Sequence, residues 1–414
     1  MSRRMLLARL FPPIRWWHRV DRGSLPRDLL AGLVGALVVL PQGIAFATLA
    51  GLPAQYGLYA AMVPTAVAAL FGSSLHTVSG PTNAISIMTF AALAPLAAPG
   101  SPEYVKLAFT LAFLMGVFML LLGVLRLGTL VNFISQPVIV GFMAGAGLLI
   151  VASQLTALFG LPGAPGGGFL GALGHLLASL PDANPWALGV AAVTLAAGLA
   201  SRRWRPRWPY IVIAMVAGTA GALALEGLAG VAGTSAGLRY LDAIPRGLPP
   251  LSWPIHDLAS LSELSGLAVA LSIVALTQSV SIARAVALRS GQRIDGNQEF
   301  IGQGLSNIAA GFFSGFPTSA SVNRSGPNFE AGAATPLAAV FSALILVAIV
   351  ALFAPAVRWL PAPAIAAVLL LASLSLIDLS RIRQTLAASR SEGGVLLITT
   401  AATLVLRLDV AVLI

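Results

Sequence analysis

The sequence predicts an all-α polytopic membrane protein of about fourteen segments arranged as a seven-plus-seven inverted repeat. Three observations predict it. Of 414 residues, 57% are hydrophobic and 9% charged, where a soluble domain carries about 25% charged residues; the mean hydropathy is +0.90. Apolar runs recur from Leu29 to the last residue, so the spans form the body of the protein. Finally, two runs in equivalent places, the third and the tenth, are too short and interrupted to be ordinary crossing helices.

The elements follow in chain order. Residues 1–27 open with MSRRMLLARLFPPIRWWHRV, which is basic but lacks a compact apolar stretch with a cleavage site, so it reads as a cytoplasmic amphipathic lead-in rather than a signal peptide. Runs near 28–50, 55–71, 79–93, 104–125, 130–158, 185–200 and 209–226 make a first repeat over 28–226. A polar extracellular connection fills 227–263. The second repeat, 264–414, holds runs near 264–288, 298–313, 320–333, 336–354, 362–377 and 392–408, with another starting at Asp409. The last run, LDVAVLI, stops in mid-span and reads as a shortened chain. The third and tenth runs each follow a β-permissive stretch, HTVS at 76–79 and TSASV at 318–322, and each reads as a short strand leading into a half-helix.

A formal charge of +10 would point a soluble protein toward nucleic acid. Here its placement points to the lipid bilayer. With the N-terminus cytoplasmic, alternation puts the basic lead-in, Arg126, the RRWRPR cluster, Arg284, Arg289, Arg293, Arg381, Arg383 and Arg390 inside. Lys106, Arg239, Arg246, Arg358 and Arg407 fall outside, and Arg324 alone is left at bilayer depth. This asymmetry is the positive-inside pattern of an inner-membrane protein, and the tryptophans fall at or beyond span ends, where an interfacial belt belongs.

Function classes narrow quickly. There is no cysteine, hence no disulfide framework or thiolate metal site, and the four histidines form no metal-ligand pairing. No grouping of nucleophile, base and orienting residue marks an enzyme, and no cofactor is implied. An odd repeat length of seven gives the two halves opposite orientation, the pattern of a transporter with a midplane site between two broken helices. The first half-helix opens at Gly80, Pro81, Thr82 and Asn83, and the second near Val322, Asn323 and Arg324. Each opening presents amide donors and a positive dipole end worth up to about 2 kcal/mol when partly buried. An unpaired arginine at that depth costs roughly 2.5 to 3.5 kcal/mol on insertion scales. A transported anion would offset that cost; donation to backbone carbonyls or a water-filled crevice is the structural alternative. Glu330, the nearest acid in sequence, lies on another helical face.

The first span contributes LPQGIAFATLAGLPAQYGLY, where Pro41 and Gly43 loosen the helix around Gln42. This stretch resembles the first-helix signature LPQGxAxAxLAGLPxxxGLYxxxxP of the SulP family of anion transporters, matched from Leu40 to Pro64. IDGNQEFIGQGLSNIAAGFFSGFPTSASVNRS, from Ile294, is similar to that family's ninth and tenth helices. The resemblance implies a core of segments 1–4 and 8–11 that carries substrate and a gate of segments 5–7 and 12–14 that stays put. It implies secondary active transport of sulfate, bicarbonate, chloride or a dicarboxylate by alternating access, as a proton-coupled symporter or an exchanger. It places the site at Gln42 and Phe46, the two half-helix openings, and Gln278 on the eighth helix. Partners would be the small anion and a co-transported proton, and the full-length protein would be a homodimer ending in a cytoplasmic STAS domain. Many prokaryotic relatives carry a carboxylate where this chain has Gln278, which cannot titrate. The rival readings are a passive anion channel of the same fold and a nucleobase carrier of related architecture.

Overall fold

The computed structural model describes residues 12–128, 136–161, 168–204, 210–231, 235–241, 244–245, 247–255, 258–374 and 378–405. Its elements in the first half are α1 (Ser24–Leu49), α2 (Ala54–Ala60), α3 (Val63–Phe71), β1 (Ser79–Gly80), α4 (Asn83–Leu93) and α5 (Pro102–Val124). Then come α6 (Gln136–Leu158), α7 (Gly168–Ser179), α8 (Pro185–Trp204) and α9 (Tyr210–Val231). The second half opens with α10 (Leu258–Ser290), α11 (Gly296–Phe312), β2 (Ser319–Ala320), α12 (Val322–Glu330) and α13 (Leu337–Phe353). It closes with α14 (Ala362–Leu374), α15 (Leu379–Ala388) and α16 (Arg390–Val405). The fold is therefore the predicted helical membrane bundle, with two half-helices, α4 and α12, each led by a two-residue strand. The run from Asp409 lies outside the described residues.

Three boundaries differ from the sequence expectation. α10 starts at Leu258, before the apolar run, because polar LASLSE is still helix-compatible. The connections after the fifth and twelfth spans contain helices of their own, α7 and α15. The second of these is started by Asp378, whose carboxylate accepts from the amides of Ser380 and Arg381 at 3.0 and 3.1 Å, an N-cap that supplies donors' partners where the helix cannot.

The chain divides into two compact units, Met1–Ile134 with Gly247–Leu352, and Ser135–Arg246 with Phe353–Ile414. Glycine sets the packing of the first. α1 and α2 touch through the backbones of Gly43 and Gly57, so a side chain at Gly57 would collide with the Gly43 carbonyl. α11 lies against α5 and α3. A Cβ at Gly304 would stand 2.6 Å from the Leu120 nitrogen, and one at Gly302 2.7 Å from the Gly72 Cα. In lipid, where apolar surface gives no drive for helices to associate, such close approach is what generates dispersion contact.

Among the described residues of this unit, two carboxylates are buried. Asp28, fully buried in α1, accepts from the amides of Ala334 and Thr335 at 2.6 and 3.0 Å and from the Thr335 hydroxyl at 2.6 Å, capping the approach to α13. Glu299 in α11 accepts from Ser73 N, Ser73 Oγ and Ser74 N at 2.7, 2.8 and 2.7 Å. Neither was singled out from the sequence, yet each anchors a loop across more than two hundred residues.

The second unit is built likewise. α16 packs on α6, where a Cβ at Gly141 would stand 2.6 Å from the Leu396 carbonyl and the Thr400 hydroxyl donates to Gly141 O at 3.1 Å. α8 packs against α9 and α14. Residues 235–241 return along α14, with Tyr240 bridged to Pro361 and Ala362 N donating to Arg239 O at 2.8 Å.

Candidate functional site

β1 and β2 pair antiparallel, Ser79 opposite Ala320 and Gly80 opposite Ser319. Two residues per strand leave most backbone groups of the ribbon outside the ladder, and at bilayer depth each needs a partner. Side chains supply them. Thr65 Oγ1 donates to Ser79 O at 2.7 Å, Ala320 N donates to Ser279 Oγ at 3.0 Å, and Val78 N donates to Ser325 Oγ at 3.0 Å. The backbone carries one more rung, Ser321 N to Val78 O at 3.0 Å.

Each strand turns into a helix through an extended residue, Thr82 (φ −134°, ψ 156°) before α4 and Ser321 (φ −119°, ψ 123°) before α12. The first turn of a helix holds amides without an intrahelical acceptor. In α4 the first closing bond is Ser86 N to Thr82 O, so Asn83, Ala84 and Ile85 precede it. In α12 the amides of Arg324 and Ser325 already bond Ser321 O, at 3.3 and 2.9 Å. The donors at this opening are thus Val322 and Asn323, while Arg324, the third residue expected there, has its amide already bonded.

Arg324 reaches across the ribbon to the other arm. Its side chain is 3% exposed, and Nη2 donates to Pro81 O at 2.7 Å. The space it occupies exists because Gly80 has no side chain: a Cβ there would lie 2.5 Å from Arg324 Nη1, and its φ of +144° is one that L-residues avoid. The guanidinium carries five N–H donors. Nε is buried with no hydrogen-bond partner, and among the described residues Arg324 forms no ion pair. Donation to a backbone carbonyl, the structural alternative raised by the sequence, accounts for one donor only. Glu330 points elsewhere, to Arg289 at 3.1 Å on the surface.

The remaining predicted residues gather around this core to differing degrees. Thr82 Oγ1 and Ser319 Oγ lie 3.0 Å apart across the two arms, and Ser319 Oγ donates to Gln278 Oε1 at 3.3 Å, so Gln278 joins the ribbon. Gln42 and Phe46 are buried on α1, which packs against both half-helices. Neither amide atom of Gln42 finds a partner, and Asn83 Oδ1 and Ser86 Oγ are unsatisfied too. Unpaired polar atoms in a lipid-embedded bundle cost several kcal/mol each; five such atoms lie on α1, α4 and α12, with others at His76 and Gln303. Asn323 is half-buried, while Val322 is 60% exposed at the head of α12.

What sequence reasoning missed is the frame: Thr65, Ser279, Gln303 and Asn307, which hold the ribbon. The signal was present, since Glu299, Gln303, Ser306 and Asn307 recur at helical spacing on one side of an otherwise glycine-rich and apolar α11.

Chemically, the arrangement offers one fixed positive charge, two helix N-termini and neutral amides and hydroxyls. The buried acids Asp28 and Glu299 of the same unit accept from backbone amides and hydroxyls elsewhere. Such a set is suited to an anion, and among the residues named here none is a nucleophile activated by a base.

Known proteins resemble this chain in sequence and fold. Residues 25–399 match the Sulfate permease family. The chain is 39% identical over 95% of its length, and 69% of the other's, to a Mycobacterium tuberculosis protein named "Probable sulfate transporter MT1781". It superposes on the transmembrane domain of a cyanobacterial bicarbonate transporter, BicA, with a TM-score of 0.84 at 25% identity, covering 95% of this chain and 98% of that one. Murine Slc26a9 in its inward-facing state gives 0.89 at 24% identity over 100% of this chain and 70% of its own, a likeness of fold.

Proposed function

Because this chain belongs to the sulfate permease family, a family of transporters and not of enzymes, we propose that it carries small anions across the cell's inner membrane by alternating access. The observation behind this reading is Arg324: a buried guanidinium with an unpartnered Nε, set between two helix N-termini with no acid paired to it among the described residues. The cargo is a small inorganic or organic anion of the sulfate, bicarbonate, chloride or dicarboxylate class. The named cargoes of the mycobacterial and cyanobacterial relatives, sulfate and bicarbonate, support that range.

In this proposal the unit containing α1–α5 and α10–α13 is the moving core, because it holds every candidate site residue. The other unit is the gate, and the motion is elevator-like. Gln278 brings no titratable group to the ribbon, and Asp28 and Glu299 are each held by three hydrogen bonds. Transport is therefore exchange, or symport in which the proton rides on the substrate. The N-terminus is cytoplasmic; single cysteines at the exposed Arg203 and Ser389 should resist impermeant thiol reagents outside intact cells, and ready labelling at both would overturn the orientation.

The deciding experiment is uptake of labelled sulfate into proteoliposomes preloaded with unlabelled anion, repeated with bicarbonate, chloride and succinate as competitors. Counterflow against a gradient, suppressed by at least one competitor, is the expected result. Purely downhill flux would point to a channel, and no anion-dependent flux would remove the proposal.

A further inference from the structure

We infer that Gln303 and Asn307 of α11 are positioning residues that set the register of the β1–β2 ribbon and thereby aim the two half-helix N-termini and Arg324 at one point; the inference rests on the anion-site reading above. A two-residue ladder cannot fix its own register. Isolated pairs of strands are marginal even in longer hairpins, and a slip by one residue moves a strand by about 3.3 Å and reverses its faces. Either change would carry Arg324 away from Gly80 and Pro81. Register must be imposed from outside.

α11 is placed to impose it. Asn307 meets both backbone groups of Thr318, the residue leading into β2: Nδ2 donates to Thr318 O at 3.1 Å and Thr318 N donates to Oδ1 at 2.8 Å. Its amide thus acts as one residue of a neighbouring strand. One turn earlier, Gln303 Nε2 donates to Ser79 Oγ of β1 at 2.6 Å. Side chains at i and i+4 on a helix stand about 5–6 Å apart, close to the 4.7–4.9 Å between paired strands. One helix face therefore holds one strand with each residue, at the spacing the ladder requires. Asn307 is itself braced by Nδ2 to Gln303 O at 3.0 Å.

The ruler is also fixed. Gly302 and Gly304 press α11 against the backbones of Gly72 and Leu120, contacts with no room for a Cβ. Glu299, one turn before Gln303, ties the same face to Ser73 and Ser74. Strand, half-helix and guanidinium inherit their placement from a helix that itself supplies no group to the anion.

The test is the anion dissociation constant of the purified full chain in detergent, from the rise in melting temperature on titration with sodium sulfate, bicarbonate or chloride, using whichever protects the parent most. Asn307→Leu, similar in shape but unable to bond Thr318, should raise the constant about tenfold or more, and Gln303→Met by a smaller factor. Asn297→Ala on the same helix, which loses a bond to Gly128 N at 2.8 Å away from the ribbon, should lower the melting temperature without moving the constant. In an Arg324→Ala background, Asn307→Leu should lose most of its effect, because there is no longer a charge to aim. If Asn307→Leu and Gln303→Met lower stability but leave the constant unchanged, both residues are merely structural and the inference fails. If Asn307→Leu does not fold, Gln303→Met alone decides. If no anion protects the parent, the site reading fails first, and the two failures are distinct.

Discussion

The two half-helix arms are built on one plan and have become unlike. Each is a two-residue strand, an extended capping residue and a short helix. Beyond that, the first arm is nearly all apolar after Asn83 and buries most of its helix. The second, VNRSGPNFE, is polar, carries Pro327 inside its helix and ends in an exposed ion pair. The first arm contributes a gap at Gly80 and a carbonyl at Pro81; the second contributes the charge that fills the one and bonds the other. The comparison teaches that an inverted repeat supplies two equal dipole ends for free but has room for one charge. A second arginine at Gly80 would face the first at contact distance.

The largest effect should come from the quieter arm. Gly80→Val puts a branched side chain where the guanidinium lies and forces a left-handed φ costing about 1–3 kcal/mol; anion affinity should fall by about two orders of magnitude or more. Anion-dependent melting would measure it. Retained affinity would mean that the gap is incidental.

Next is the charge itself. Arg324→Ala should weaken binding about ten- to a hundredfold, the equivalent of the 1.5–3 kcal/mol carried by a hydrogen bond to a charged group. Arg324→Lys should keep more, since it retains the charge and loses the planar fork. Equal anion protection in parent and Ala variant would leave selectivity to the helix ends alone and make the arms functionally equivalent. A smaller effect is expected where the hydroxyls of the two arms touch, at Thr82 and Ser319. Thr82→Val and Ser319→Ala should each cost about two- to tenfold in affinity, as one neutral hydrogen bond is worth about 0.5–1.5 kcal/mol. The double variant should cost less than the product, and full additivity would show that the two hydroxyls do not communicate. Smallest is the outer end of the second arm. Glu330→Gln removes an exposed ion pair worth about 0–1 kcal/mol, so uptake and affinity should be unchanged; loss of gradient-driven uptake would identify Glu330 as a coupling group.

The arms were legible in the sequence for a physical reason. Gly-Pro interruptions in runs too short to cross, each behind a β-permissive stretch, mark broken helices, and a charge with no loop to occupy must lie at depth. The first-helix signature was legible as a resemblance, and the structure gives two of its glycines a reason: Gly43 and Gly57 oppose each other where two backbones cross. The polar face of α11 was legible, but not what it holds. Gln303 reaches Ser79 across 224 residues, and nothing in either local sequence encodes that distance. α7 and α15 escaped because GFLGALGHLLAS follows a glycine-proline run and LSRIRQTLAA carries two arginines, so both read as connections when measured against spanning hydropathy.

The clamp between Asp28 and Thr335 has a consequence for how the chain is made. Its partners are 307 residues apart, so at about 5–20 residues per second of synthesis roughly 15–60 s pass before the carboxylate of the first helix meets its donors. Asp28 is the fifth residue of the 26 in α1, so during that interval the start of the helix can keep the carboxylate hydrated at the membrane face and avoid the roughly 2.5–3.5 kcal/mol that an aspartate at a helix centre costs to insert. Only when Ala334 and Thr335 leave the ribosome can α1 draw in to its final depth, with Gln42 moving along with it. A nascent chain halted before Thr335 should leave a cysteine at Ala31 open to aqueous thiol reagents, and the finished chain, where that position is fully buried, should protect it.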